Sequence, residues 1–493
     1  LSHFLLLALI VGFAALLRFF SLSSLGYWTD ELCTLSAADG WGLQLDKVPT
    51  DRIAPPLPNC TRLKDARPFA HIPVAMAHDD AHPPLYFMIL RAWEEVFGDS
   101  ESSVRSVNVV FSLLAIVMLY VTATRSVGSA TALVACLLMA VATPQIQLAQ
   151  EARNYMPVLV FSLLAVFAIQ RLRHQPDRLS AFLLTVSLLA MMLTHYFAAG
   201  AAAGIVLDAV IVLRSRARQL MLFATLAAGI LFVLLWGPAL MQQRAVFHNG
   251  LGWLSDSSPG HLHRRVIDLL RLPVRFFAEI TTAGAQNIVA AVGFVMLLGL
   301  PILFFRRREL RLWIAWFVSA VALIAILDFS RSTAQLNWVR YSFFAAPPAY
   351  VLVAAAIQGR RWKWLLPALA VVLSLLNLRN AYVPAWKIDF RTPVQFVGRQ
   401  LGPRDGLLIV GRDTIADGIL YSACQQYLPT LPPVSAVLTK DPDEQTLVEL
   451  KRCRRICVMT LWPNQTLQLP GFLIQDQQTI PYFANVQFGR FER

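Results

Sequence analysis

Residues 82–97 read HPPLYFMILRAWEEVF, and whether they cross a membrane decides the topology of everything that follows. Proline at the start suits the first turn of a helix. The uninterrupted apolar run before Arg91 is only about six residues, against the roughly 20 that a hydrocarbon core demands. The stretch is therefore expected to lie on the outer membrane surface as an interfacial helix. Counting it as a span would also invert every arginine-rich loop downstream.

The surrounding composition makes a membrane the right frame. The 493 residues are 56% hydrophobic and 15% charged, where soluble domains run at about 45–50% apolar and about 25% charged. The net charge of +13 could suggest nucleic acid. In a polytopic protein, excess arginine instead marks cytoplasmic loops and anionic headgroups, and no nucleic-acid partner is expected.

Apolar runs of sufficient length fall near 3–22, 104–124, 129–148, 155–171, 179–197, 198–213, 219–241, 284–305, 310–329, 341–358 and 362–379, about eleven spans by the length criterion. The first run lacks a basic lead and a small-residue cleavage site, so it is expected to be a retained span and not a signal peptide. Arginines recur in alternate loops: Arg125, then Arg171, Arg173 and Arg178, then Arg214, Arg216 and Arg218, then Arg306, Arg307, Arg308 and Arg311, then Arg360 and Arg361. By the positive-inside rule these loops are cytoplasmic. Residues 23–103, 149–154, 242–283, 330–340 and the tail then face outward. A second interfacial helix is expected at 264–277 (RRVIDLLRLPVRFF), whose arginines recur on one face.

From 380 the pattern changes. Short β-rich runs at 406–410, 455–459 and 471–474 alternate with helical stretches at 393–402, 415–427 and 443–452. The expected architecture is a helical membrane domain over 1–379, with its first outer loop at 23–103, and a small outward α/β domain over 380–493. Six cysteines are too few for a disulfide scaffold and lack zinc-site spacing. Cys33 and Cys60 in the first loop, and Cys424, Cys453 and Cys457 in the tail, are open to pairing or to remaining buried thiols.

Ionisable residues on the outer side gather beside span ends. SLGYWTDELC (24–33) places Asp30 and Glu31 just after the first span, behind two large aromatics. Asp79, Asp80 and His82 precede the interfacial helix. QEARNY (150–155) carries Glu151, Arg153 and Tyr155, THYF (194–197) carries His195, and Arg340 and Tyr341 open the tenth span. Each alone has a bland explanation: a solvated carboxylate, a hydrogen-bonded histidine, a snorkelling arginine. Their convergence on one membrane face is what points to function, because charge near hydrocarbon is costly.

WTDE after span one, HPPLYF opening a short helix, QEARNY, THYF and the late RY together resemble the GT-C glycosyltransferases. The resemblance is to the branch with protein O-mannosyltransferases and the bacterial aminoarabinose transferase of lipid A, and it covers about residues 1–380. It implies a membrane enzyme with an outward-facing active site and a polyprenyl-phosphate sugar donor. It also implies an inverting transfer in which the first acid of the pair, Asp30, is the catalytic base.

Chemistry alone reaches a compatible assignment. A hydroxyl acceptor needs a base as it attacks the anomeric carbon. The departing lipid phosphate needs cationic donors already in place. Asp30 is the expected base and Glu31 its partner. Asp80, His82, Glu151, Arg153, Tyr155, His195, Arg340 and Tyr341 are expected to bind substrate, with the arginines of 264–275 as further phosphate candidates. Asp80 and His82 offer two ligands to a divalent ion but no third; no metal or other cofactor is expected, and the pair is assigned to hydrogen bonding.

Expected partners are the polyprenyl-phosphate donor, membrane lipids, and a glycolipid, polysaccharide or protein acceptor, in a bacterial inner membrane with the site facing the periplasm. A glycolipid flippase or transporter is the alternative, but would place its ionisable groups near the bilayer midplane. A non-catalytic envelope-assembly component would have no need of Asp30.

Overall fold

The computed structural model describes residues 2–43, 47–79, 81–250, 254–280, 283–356, 358, 364–383, 387–411, 414–440, 442–461, 471–479 and 485–491. Asp80 lies outside them. The chain gathers into two compact units. One comprises Leu1–Leu22, Ala81–Tyr86 and Arg105–Tyr382, the other Ser23–Asp80, Phe87–Val104 and Val383–Arg493. The loop 23–103, assigned from sequence to the membrane domain, is divided between them, with most of it in the second.

The protein is a polytopic helical membrane protein. Among the described residues, six helices are long and apolar enough to cross a membrane: Glu101–Val127, Tyr155–His174, Ser215–Arg244, Gln286–Phe304, Arg308–Arg331 and Val339–Ala356. Ser129–Val141 and Thr143–Ala149, bent by 60°, make a seventh candidate when taken together. His3–Phe19, Arg178–Thr194, Ala198–Val212 and Pro367–Leu376 are apolar but shorter. The two stretches expected at the interface are helices of 13 residues (Leu85–Phe97) and 15 residues (His261–Arg275).

Two features of the first unit come directly from residue chemistry. Gly200 and Gly204, four apart, let the Ala198–Val212 helix approach Arg311–Arg331 closely, as small residues do between membrane helices. A Cβ at Gly200 would sit 2.9 Å from Ala320 Cα, and one at Gly204 would overlap the Ala315 carbonyl oxygen. The bend before Thr143 follows from Pro144, which has no N–H to continue a helix. The carbonyls freed there are met by Arg18, fully buried in the first helix. Its guanidinium donates to Ala140 O (2.8 Å) and Met139 O (3.1 Å), to Ser112 Oγ (2.8 Å) and to Ala14 O (3.2 Å). Gln150 closes the same corner by donating to Arg18 O and Phe20 O at 2.9 and 2.7 Å.

The second unit is built on a five-stranded mixed sheet, β1 (Gly406–Val410), β2 (Ser435–Leu438), β3 (Ile456–Thr460), β4 (Phe472–Thr479) and β5 (Asn485–Phe491), in the order β2-β1-β3-β5-β4. β2, β1 and β3 run parallel, joined through the helices Thr414–Tyr427 and Glu444–Arg452, and β5 and β4 are antiparallel to their neighbours. The first three strands are buried along their whole length, as strands covered on both faces must be. The exposed edge of β2 is covered by the loop around Asp51. Thr50 bridges Val437 and Ile53 bridges Ala436, while the Asp51 carboxylate accepts from Thr439 and Lys440. All six cysteines are free thiols.

Two carboxylates in this unit, Asp39 and Glu94, are buried near Arg91, and an exposed one, Glu95, pairs with it. Arg91 lies 3.4 Å from Asp39 and 3.0 Å from Glu95, and Glu94, 1% exposed, has no hydrogen-bond partner for either oxygen among the described residues. Burial, against the opposing pull of Arg91, raises the Asp39 carboxyl to about 7, and burial likewise raises Glu94. A carboxyl raised on folding binds its proton more tightly in the native state. Its stabilising contribution is full below its ordinary pKa and fades as pH climbs toward the raised value. The thermal midpoint of this unit is thus expected to fall between pH 4 and 7, and Asp39→Asn to flatten that slope. An unchanged slope in the variant would assign the dependence elsewhere.

Candidate active site

The helix Thr29–Ala38 opens directly on the acidic pair, with Asp30 and Glu31 in its first turn, where the helix dipole favours negative charge. Its entry is fixed by backbone contacts: Gly26 N–H donates to Asp389 (2.9 Å) and Tyr27 N–H to the Tyr427 hydroxyl (2.6 Å). The two acids then differ. Glu31 is completely buried, with Lys387 Nζ 3.5 Å from its carboxylate, and that ammonium also lies 5.9 Å from the Trp28 ring centroid. Asp30 is partly exposed. Position therefore suits Asp30 to meet a substrate and Glu31 to hold the turn.

A double-mutant cycle on Lys387→Met and Glu31→Gln is expected to give a coupling of about 0.5–3 kcal/mol, the range for residues in contact. Additive losses would mean that the ammonium does not act on Glu31.

The first unit assembles most of the remaining candidates around His195. This residue caps the Arg178–Thr194 helix and is 4% exposed. Its ring lies 5.8 Å from that of His82, 5.8 Å from Tyr155 and 5.0 Å from Phe344, and Phe197 in turn lies 5.8 Å from Tyr341. The Phe197 N–H donates to His195 Nδ1 at 3.1 Å. In the neutral ring that leaves the proton on Nε2, which has no hydrogen-bond partner among the described residues. Arg340 is buried, with its guanidinium 4.8 Å from the Trp338 ring and 5.4 Å from Tyr341. Such stacking orients the planar fork and keeps its charge.

QEARNY forms a turn held by side-chain amides. Asn108 Nδ2 donates to Glu151 O and, at 2.6 Å, to Arg153 O, and it lies 3.3 Å from the Tyr86 hydroxyl. Asn154 Nδ2 donates to Thr194 O at 2.8 Å, tying this turn to THYF. Tyr196 links further out: its hydroxyl donates to Gln243 (2.5 Å) and accepts from Trp236 Nε1 (2.7 Å), and Gln243 donates to His82 O (3.1 Å). Glu151, Arg153 and Tyr155 are all buried.

The arginines of the His261–Arg275 helix have carboxylates at hand: Arg264 pairs with Asp256 (2.9 Å), Arg271 lies 3.9 Å from Asp268, and Arg275 pairs with Glu279 (2.6 Å). Among the described residues no three His, Cys, Asp or Glu side chains cluster as a metal site would need. Asn108, Gln243 and Lys387 were missed from sequence. Asn108 did carry a signal, as a polar residue inside an apolar span.

Residues 81–240 match the family model of dolichyl-phosphate-mannose-protein mannosyltransferases. ArnT from Cupriavidus metallidurans, solved with undecaprenyl phosphate, superposes with a TM-score of 0.55 at 13% identity, over 98% of this chain and 97% of that one. The fold is that of ArnT. The apo form of the same ArnT gives 0.56 at 14% identity over the same shares of the chains. An oligosaccharyltransferase from Archaeoglobus fulgidus is more distant, at 0.45 and 10% identity over 92% of this chain and 68% of that one. No curated protein matches the chain. The matched stretch 81–240 contains the His82, QEARNY and THYF segments.

Proposed function

We propose that this protein is an inverting glycosyltransferase that moves a sugar from a polyprenyl-phosphate donor to a hydroxyl or similar acceptor at the outer face of a bacterial inner membrane. The observation that carries the reading is the buried cluster around His195, where a ring N–H lacking a hydrogen-bond partner among the described residues stands among aromatics, within an ArnT-like fold. The undecaprenyl phosphate bound to the Cupriavidus ArnT supports a lipid phosphate as the leaving group here.

In the proposed reaction the acceptor oxygen attacks the anomeric carbon as its proton passes to Asp30. The bond from that carbon to the phosphate oxygen breaks, and the lipid phosphate leaves with the electron pair. Arg153, Arg340 and the Nε2–H of His195 stabilise the charge that develops on it. His82, Glu151, Tyr155 and Tyr341 shape the sugar and phosphate pocket, with Asp80 proposed beside them. Attack from the back inverts the sugar, so no covalent sugar–enzyme intermediate forms, and no metal is required. The topology proposed with it has eleven spans, counting the short apolar helices, and an outward tail.

The test is turnover by the purified protein in nanodiscs, given a panel of radiolabelled polyprenyl-phosphate sugars and envelope lipid, with and without exhaustive chelation. Transfer from one donor, unaffected by chelator, is expected. No transfer from any donor, together with lipid movement across liposomes, would overturn the reading in favour of transport.

A further inference from the structure

The helix Tyr155–His174 begins at the His195 cluster and ends at a second feature. Its 20 residues span about 29 Å at the α-helical rise, close to the thickness of a hydrocarbon core. At the far end lies a cavity of about 550 Å3 whose charged lining is Arg173, Arg214, Arg308 and Arg311, without a carboxylate. Asp208, 3.9 Å from Arg311, lines a smaller cavity of about 100 Å3 beside it, together with Glu309. Among the described residues, Arg311 is the one arginine of the four with a carboxylate in ion-pair range. The proposed sugar transfer gives none of the four a part.

We infer that this cavity binds the phosphate headgroup of an anionic membrane phospholipid. Converging guanidiniums match phosphate oxygens in forked pairs. Basic pockets between membrane helices on the arginine-rich side take such headgroups. The apolar surface beside the cavity favours a lipid over a soluble anion. Ile211, which lines the cavity, is 55% exposed, and Leu207, one helical turn deeper, is 58% exposed, so acyl chains have a track leading away from the arginines.

The experiment uses the full chain, delipidated in detergent, and reads retained lipid by native mass spectrometry. Its probes are phosphatidylglycerol, phosphatidylcholine and inorganic phosphate. Wild type is expected to hold phosphatidylglycerol over phosphatidylcholine. The variant Arg173→Gln, Arg214→Gln, Arg308→Gln is expected to bind phosphatidylglycerol on the order of a hundredfold more weakly, and Arg214→Gln alone about fivefold, with phosphatidylcholine unchanged in both. The single variant keeps the test decisive if the triple one does not fold. Equal phosphatidylglycerol retention in Arg214→Gln would overturn the site. Displacement of the lipid by equimolar inorganic phosphate would overturn the lipid as its ligand. The readout involves no turnover, so it stands or falls separately from the transferase reading.

Discussion

Asp30→Asn is expected to lower the rate of sugar transfer by about 10²- to 10⁴-fold, the usual contribution of a positioned general base, while donor binding is kept. Asparagine preserves the shape of the side chain but has no basic oxygen to take the acceptor's proton. The effect should therefore appear in kcat and not in donor affinity. Glu31→Gln makes the informative comparison. Glu31 is buried beside Lys387, so its loss should act first on the stability of the turn, with a smaller kinetic effect once folding is allowed for. A full rate in Asp30→Asn would remove it as the base. A loss of donor binding equal to the loss of rate would make it a binding group.

The polytopic helical character was legible because length and hydropathy dictate it, but of the eleven expected spans six helices among the described residues, or seven with the bent pair, are long and apolar enough to cross. What composition hides is where a helix breaks. The run 129–148 reads as one continuous span, yet Pro144 bends it by 60°, and the bend is held by Arg18 from a distant helix. In the tail the runs at 406–410, 455–459 and 471–474 fall on strands. β2 escaped as a four-residue run after a turn, and β5 because polar residues interrupt it (NVQFGRF). At the candidate site, the motifs brought the charged candidates forward, since charge beside an apolar run stands out. Their supports did not stand out. Asn108 holds the QEARNY turn and Lys387 neighbours Glu31, but an amide or an ammonium far along the chain announces no partner. The carboxylates beside the arginines at 264–275, Asp256, Asp268 and Glu279, were hidden for the same reason, as ordinary loop and surface residues.

Arg18→Met should destabilise the membrane unit by about 2–6 kcal/mol, since it leaves the Met139 and Ala140 carbonyls without a partner at about 1–3 kcal/mol each. Methionine nearly fills the volume, so the loss is one of hydrogen bonds and not of packing. The Met139 and Ala140 carbonyls end a helix that Pro144 cannot extend, and in hydrocarbon no water can replace the guanidinium. The charge itself is tolerable there because four acceptors surround it and because it sits at a helix C-terminus, where the dipole favours a cation. Arg18→Lys should recover only part of the loss, since an ammonium cannot reach acceptors spread across the guanidinium plane. Unfolding in mixed micelles would measure all three proteins. A methionine variant as stable as wild type would show that the bend at Thr143 holds without the arginine. The QEARNY turn lies just beyond that bend, so the same variant should also lose transfer activity as the turn loosens, even though Arg18 touches no substrate.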